Sequence, residues 1–501
     1  MTSTTSSATD HKWLVLAVVG LAQLMVVLDG TIVNIALPNA QSDLGFTNDN
    51  RQWVVTAYSL AFGSLLLLGG RLSDIFGRKN TFIIGLIGFA LVSAIGGASQ
   101  SFGMLVAARA LQGAFGALLA PAALGILTTT FSTPKDRGKA FAIFGTIAGS
   151  GAAIGLLLGG VLTEFTSWRF CLFVNVVFAV LALIGAVIFL KAKATGGAQH
   201  HIDLPGTITV TAGLVGIVYG FSNAETSSWS DPITIICLAA GVVLLAVFVV
   251  LQTRVAHPLL PMRVILNRDR GGSYLVIALA GIGIFGVFLF LTYYLELTLG
   301  FSSLKTGVAF LPLPLSIMLS SNVFGGRLLP RVGPRILIFI GALLGAAGLA
   351  WLSQIALDSH YASAILPGLI LMGLGMGLIF SSAINTATSG VSREDAGVAS
   401  ATVNTMQQIG GSIGTALLST LSASAVTAYI TTHGTSKLDQ ANAVLSGYHL
   451  AFYVSTGVFI VIAIVGGTIL QSHKARQQQL AARTNTAGAY TGSVEIPVSA
   501  H

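Results

Sequence analysis

The sequence predicts an all-α transmembrane protein of fourteen spans: two six-helix bundles with two extra central helices. Three observations predict it: apolar residues in bilayer-length runs, basic residues that alternate between successive loops, and a loop motif that occurs twice. Of 501 residues, 54% are hydrophobic and only 8% charged, against about 25% charged in soluble domains. Runs such as Trp13–Leu28, Thr81–Ala98, Leu172–Leu190 and Ile336–Leu352 approach the ~20 residues that a helix needs to cross ~30 Å of hydrocarbon. Lipid offers no hydrogen-bond partners, so these runs must be helices that satisfy their own backbone. The 59 glycines fit a tightly packed bundle, because small residues let membrane helices approach closely.

The spans are placed at 13–38, 52–70, 80–98, 103–130, 138–163, 168–190, 204–221, 233–252, 271–295, 307–329, 335–353, 362–384, 397–424 and 447–470. With the N-terminus inside, 20 Lys and Arg fall in inside segments or at inside span ends, 4 in outside loops or at outside span ends, and one, Arg109, well within a span. That asymmetry predicts cytoplasmic termini. The net charge of +8 therefore reflects short cytoplasmic loops and does not point to nucleic acid. Cys171 and Cys237 lie in or beside apolar runs, so no disulfide framework is expected. Residues 1–12 read as a short cytoplasmic N-terminus without a cleavable signal.

Gly69-Gly70-Arg71-Leu72 leads to Gly77-Arg78-Lys79 after the second span. Gly325-Gly326-Arg327-Leu328 leads to Gly333-Pro334-Arg335 after the tenth. Both copies fall on the same side, which describes parallel six-helix repeats. The copies are eight spans apart, so two helices are inserted. The predicted organisation is a bundle over 13–190, linkers plus the inserted pair over 191–270, a second bundle over 271–470, and a disordered cytoplasmic tail over 471–501.

Asp29 lies mid-span, where a carboxylate costs roughly 2.5 kcal/mol or more, and such acids normally face a bundle interior or a water-filled cavity. It is either a proton carrier or a structural acid bonded to a neighbouring helix. Arg109, Gln112, Gly113 and Gly116 share one helical face, a polar lining beside a close contact. Asp74 can pair with Arg78 at i+4 if the helix continues through the loop, and it can also cap a neighbouring helix N-terminus through the dipole. Gly151, Gly155 and Gly159 form a stripe for backbone contact. Glu296, three residues after Tyr293, is either a second protonation or cation-recognition site, with the tyrosine offering cation–π surface, or a solvated acid at the rim. Asn34, Asn322, Asn404 and Gln408 are candidate polar groups of a substrate cavity, as is Gln112.

The segment Gly70-Arg71-Leu72-Ser73-Asp74-Ile75-Phe76-Gly77-Arg78-Lys79 resembles the loop motif of the major facilitator superfamily. Leu28-Asp29-Gly30-Thr31-Ile32-Val33-Asn34-Ile35-Ala36-Leu37-Pro38 resembles the first-helix signature of its fourteen-helix drug/proton antiporters, the EmrB/QacA-like family. Arg109-Ala110-Leu111-Gln112-Gly113 resembles that family's fourth-helix motif, and the Gly-rich run 145–160 its fifth-helix antiporter motif, although Leu156 stands where a proline is usual. The resemblance implies a major facilitator fold in a bacterial cell membrane and proton-coupled efflux of small hydrophobic or cationic drugs or natural products by alternating access. The protein would work as a monomer without a cofactor, powered by the proton motive force. It further implies proton coupling at Arg109 and gating by Gly70, Asp74, Gly77, Arg78, Lys79 and the glycine stripe. Asp29 and Glu296, by their own positions, are the candidate acids. The sequence does not pair Arg109 with a particular carboxylate. The alternative is a facilitator or symporter importing a small metabolite. A membrane enzyme is a poorer fit, because the adjacent His200 and His201 lack metal-ligand spacing with Cys, Asp or Glu and no phosphate-binding loop is present.

Overall fold

The computed structural model describes residues 5–47, 50–131, 133–190, 203–256, 258–391 and 395–471, and their regular structure is helical. The first six rods are α1 (Thr5–Leu44), α2 (Gln52–Phe76), α3 (Arg78–Gly97), α4 (Phe102–Thr130), α5 (Pro134–Phe165) and α6 (Phe170–Phe189). The inserted pair is α7 (Leu204–Thr226) and α8 (Pro232–Arg254). The second six are α9 (Arg268–Tyr293), α10 (303–332), α11 (Pro334–Leu352), α12 (Leu366–Thr388), α13 (Ala396–His433) and α14 (Lys437–Thr468). Thirteen rods are long and apolar enough to cross a membrane, and α5 contributes the shorter apolar stretch Ser150–Phe165. The predicted linker over 191–202 and the tail from 472 lie outside the described residues.

Helix starts follow local chemistry. The side chains of Ser101, Asp203, Asp231, Asn267, Ser302 and Ser436 each accept a hydrogen bond from a first-turn N–H, which satisfies donors that a helix N-terminus leaves free. Two elements depart from the predicted rods. The helix of α1 runs on through Pro38 to Leu44, because Ala40 beyond it is buried and Asn39 bonds to Ser303 in the second half. The tenth rod is broken into Ser303–Phe310, Pro312–Leu319, a π-turn over Ser320–Gly325 and Gly326–Val332. Its interruption falls at Pro312 and Pro314, whose rings supply no N–H to the ladder.

The repeated motif has a geometric basis. Gly77 has φ 85° and Gly333 has φ 78°, a region that only glycine enters at low cost. Each stands immediately before α3 or α11 and turns the chain sharply between two spans. Consequently the helix does not continue from Asp74 to Arg78, and the predicted i+4 geometry is absent. The side chain of Asp74 lies outside the described ones. Arg78 instead opens α3 and donates to Gly125 O of α4 at 2.7 Å.

One apolar core lies within the first bundle and includes Val19, Met25, Phe82, Phe89 and Leu127. A second fills the other bundle, with Ile277, Phe290, Phe310, Ile379 and Phe459, and runs on into the first through Leu28, Ile32, Leu156 and Leu172. Each bundle closes its glycine contacts on a neighbour's backbone: a Cβ at Gly113 would meet Phe62 N at 2.9 Å, and one at Gly281 would meet Gln407 O at 2.6 Å. Outward faces remain apolar; Ile236, Val242 and Val243 of α8 are all more than half exposed. On a soluble protein such a face would be a contact surface, whereas in a bilayer it is the lipid-facing wall.

The inserted pair lies over the seam between the bundles. Leu60 and Leu67 of α2, Val210, Leu214 and Val218 of α7, Phe248 of α8 and Ala416 of α13 form one buried cluster, and Thr420 of α13 donates to Phe221 O of α7 at 2.8 Å. A buried carboxylate holds the base of the pair. Asp203 accepts from Gly206 N at 2.8 Å and Gln252 Nε2 at 2.5 Å, while Gln252 Oε1 accepts from Leu260 N at 2.9 Å. Removing it orphans a helix-start N–H and a buried amide, a loss of about 1–3 kcal/mol. Asp203→Ala should therefore lower the thermal midpoint of the purified protein, whereas Asp203→Asn, which keeps the cap, should lower it less. Equal midpoints for all three proteins would refute that role.

Candidate functional site

Asp29 sits wholly buried on α1, and five helices converge on it. Arg109 of α4 donates from Nη1 to Asp29 Oδ2 at 2.6 Å. The same nitrogen donates to Gln112 Oε1 at 2.9 Å, and Arg109 Nε donates to Val54 O of α2 at 3.0 Å. The guanidinium carbon stands 4.4 Å from the centre of the Tyr58 ring, a cation–π contact in a dry interior. Asp29 Oδ1 accepts from Gln112 Nε2 at 3.2 Å and from Asn175 Nδ2 of α6 at 2.6 Å. Gln112 also donates to Ser93 Oγ of α3 at 2.7 Å. Arg109, Gln112, Asn175 and Ser93 are as buried as Asp29.

The helical stripe on α4 explains this convergence. Arg109 and Gln112 project to α1, while Gly113 and Gly116, one turn on, let α2 approach: a Cβ at Gly116 would lie 2.9 Å from the Phe62 ring. The glycine stripe of α5 does the same on the other side of α1. Gly151 faces Val27, Gly155 faces Thr31 and Leu28 O, and Gly159 faces Ile32. These α1 residues flank Asp29 on both sides.

Ionic hydrogen bonds among fully desolvated groups are strong, and the loss of one partner leaves the other without compensation. Chemically, the site is one acid held by three donors from two helices, α4 and α6. A change in its charge would alter the packing of α1, α4 and α6 together.

Sequence reasoning reached Asp29, Arg109 and Gln112 but left Arg109 unpaired; the geometry pairs it with Asp29. It missed Asn175, Ser93 and Tyr58. Asn175 carried a signal, as a lone amide in a strongly apolar span, and polar side chains in spans bond across helices. Ser93 and Tyr58 carried none. The other candidates stand apart from Asp29's hydrogen bonds. Asn34 is buried, but its amide donates to Gly30 O of its own helix at 3.1 Å. Asn322 is exposed and Asn404 half-buried, and each donates one turn back, to Met318 O and Ser400 O. Gln408 is half-buried on α13, where its Cβ lies 3.0 Å from the position of a Cβ on Gly63 of α2.

Tyr293 and Glu296 belong to a second place, at the end of the bundle away from the described termini. There α9 loosens into a π-turn over Tyr294–Thr298. Tyr293 is wholly buried; its hydroxyl donates to Gln41 Oε1 of α1 at 2.6 Å, and the Arg51 guanidinium lies 4.0 Å from the centre of its ring. Asn39 of α1 donates to Ser303 Oγ of α10 at 3.1 Å, and Glu164 of α5 accepts from Leu304 N at 2.9 Å. These bonds join the two bundles at that end. Glu296, half-buried beside Ser303 and Thr306, has Oε1 buried without a hydrogen bond among the described residues.

At the opposite end, the loop motif ties helices down. Arg71 donates to Pro258 O at 2.9 Å, and Lys79 reaches Leu190 O at the end of α6. Lys12 pairs with Asp136 at 2.8 Å, and the hydrogen bonds from Lys12 and Thr133 hold the Asp136 carboxyl below its ordinary titration range.

The Major Facilitator Superfamily model matches residues 19–415. The puromycin resistance protein pur8 of Streptomyces alboniger is 50% identical over 465 residues, covering 92% of each chain. The cephamycin export protein CmcT of Amycolatopsis lactamdurans is 41% identical over 434 residues, covering 84% of this chain and 87% of the relative. Among solved structures, a bacterial homologue of the human lysosomal transporter Spinster superposes with TM-score 0.65 at 14% identity, covering 93% of this chain and 97% of that one. At that identity the superposition establishes the fold alone. With the family model over most of the chain, two such relatives and a matching fold, the chain belongs to the Major Facilitator Superfamily and is a multi-pass membrane transporter of its fourteen-helix antibiotic-resistance and export group, not an enzyme.

Proposed function

We propose that this transporter exports antibiotic-like molecules from a bacterial cell in exchange for protons, with Asp29 as the proton carrier. The observation that carries the reading is the wholly buried Asp29–Arg109 ion pair at 2.6 Å. Burying both charges costs several kcal/mol per ion, and ionisable groups inside membranes mark proton relays and substrate paths. The names of the relatives, a puromycin resistance protein and a cephamycin exporter, supply the substrate class: small hydrophobic or cationic natural products.

The two bundles rock about the space between them. Basic-residue asymmetry puts the termini in the cytoplasm, so the end joined by Tyr293–Gln41 and Asn39–Ser303 faces outward. In this conformation the site is closed to the outside. Asp29 is wholly buried among the helices, so it would carry the proton while the drug occupies the space between the bundles. Asn34, Asn404 and Gln408 are the polar side chains we assign to that space. Glu296 at the outer joint is the second candidate acid, and Gly70, Gly77, Arg78 and Lys79 brace the cytoplasmic end. A proton entering down a 100 mV potential supplies about 2.3 kcal/mol, to which the pH gradient adds.

The test is efflux of puromycin and of a fluorescent cationic dye from cells expressing wild type or Asp29→Asn at equal levels, with and without an uncoupler. Wild-type efflux should stop with the uncoupler, and the variant should match cells that lack the transporter. Export that persists in Asp29→Asn would make that acid structural, and export indifferent to the uncoupler would end the antiport reading.

A further inference from the structure

We infer that Asn175 is the two-way partner of Asp29: its amide N–H₂ donates to the ionised carboxylate, and its Oδ1 accepts the O–H of the protonated acid. The inference rests on the proton-carrier reading of Asp29 and assigns the atom that receives its proton's hydrogen bond.

Among the described residues, every group hydrogen-bonded to Asp29 is a donor: Arg109 Nη1, Gln112 Nε2 and Asn175 Nδ2. This suits a carboxylate, which only accepts. A protonated Asp29 carries one O–H and needs an acceptor in a site without exposure. The neighbouring acceptors are engaged. Gln112 Oε1 receives Arg109 Nη1, Ser93 Oγ receives Gln112 Nε2, and Val54 O receives Arg109 Nε. The Tyr58 hydroxyl donates to Val26 O. Among the side chains bonded to Asp29, Asn175 Oδ1 is the buried oxygen without a hydrogen bond among the described residues. It belongs to the amide whose nitrogen already lies 2.6 Å from Asp29 Oδ1.

A half-turn of this amide about its last torsion exchanges nitrogen for oxygen at the same place. No existing bond of Oδ1 is broken, because it has none. The balance is simple: one proton joins Asp29 Oδ1, the new O–H donates to Asn175 Oδ1, and the Asn175 N–H₂ turns to where the oxygen stood. Loss of the proton reverses the turn. A leucine of the same size can make neither bond. The charged and titratable groups facing Asp29 from the packed helices are Arg109 on α4, Tyr58 on α2 and Cys171 on α6. Arg109 cannot accept a hydrogen bond, and Cys171 is already engaged with Thr163 Oγ1.

The measurement is infrared difference spectroscopy of the full chain in lipid as bulk pH is lowered. It is made on wild type, wild type grown with isotope-labelled asparagine, Asp29→Asn and Asn175→Leu. A protonated-carboxyl C=O band should appear and be missing in Asp29→Asn. It should move to higher wavenumber in Asn175→Leu, as the acid loses its acceptor. In the wild-type protein, which needs no altered fold, the asparagine label should shift an amide band that changes with protonation and is silent in Asp29→Asn. An Asp29 band that stays in place in Asn175→Leu, or a protonation spectrum indifferent to the label, overturns the role of Asn175 and leaves the proton reading standing. No Asp29 band at any pH at which the protein transports overturns both.

Discussion

Arg109→Leu should abolish export and lower the stability of the folded protein by about 3–5 kcal/mol, the usual cost of removing one partner from a buried ion pair. The geometry says why the effect is large. The substitution removes the countercharge from Asp29, orphans Gln112 Oε1 and takes the second donor from Val54 O, both of which accept from the same guanidinium. Nothing at this position reaches water: Arg109 is 1% exposed and Asp29 0%. Arg109→Lys should fall between the two, because an ammonium is a point charge without the fork that reaches an acid, an amide and a carbonyl together. The decisive comparison is the double variant Arg109→Leu with Asp29→Leu. It should regain most of the lost stability, as replacing a whole buried pair by apolar groups often does, yet it should not regain export. Thermal melting of detergent-purified protein and dye efflux separate the two readouts. A single variant as stable as wild type, or a double variant no better than the single one, would mean that the pair contributes nothing as a unit.

Much of the fold was legible because lipid imposes a simple code. Length, apolarity and the alternation of basic loops placed the fourteen rods, and the doubled Gly-Gly-Arg-Leu motif located the two related halves. The glycines that turn the chain, Gly77 and Gly333, were visible as members of that repeat. What they do, with φ near 80°, shows only in the fold, and it removed the continuous helix on which an i+4 pairing of Asp74 with Arg78 depended. The broken course of α10 was only hinted at by Pro312 and Pro314, because a proline can kink a membrane helix or leave it whole, as Pro38 does in α1.

The site was half legible. A lone aspartate and a lone arginine in spans announce themselves by their cost, but which groups meet depends on how helices distant in sequence pack. Asp29 and Asn175 are 146 residues apart, and no spacing rule reaches that far. The candidates Asn322 and Asn404 show the converse: an amide in a span can turn back on its own helix.

Gly155→Val should remove export and cost about 1–3 kcal/mol of stability, the range for overpacking a close contact. A Cβ there runs into Thr31 Oγ1 and lies 3.1 Å from Leu28 O, so α1 must shift at the two residues that bracket Asp29. Gly30→Ala supplies the control. It lies next to Asp29, yet its Cβ would meet nothing within 4 Å, so export should be unchanged. The contrast separates proximity to the acid from the contact between α1 and α5. That contact matters beyond its own energy because α5 also carries the joint to the second bundle. Gly160 faces the Leu304 backbone, with Leu304 Cα 2.7 Å from the Cβ it would carry, and Gly307 faces Leu156 O. Leu156 is the residue that replaces the usual proline, and its carbonyl is covered by α10. Asp29, the α5 stripe and α10 thus form one contiguous packed path from the buried ion pair to the end where Asn39 meets Ser303 and the bundles join. If proton binding at Asp29 moves α1, α5 is the element that passes the movement to the other bundle. Efflux assays and melting curves for the two variants test this together. If Gly155→Val exports normally, or Gly30→Ala fails as badly, coupling does not run through the α1–α5 contact.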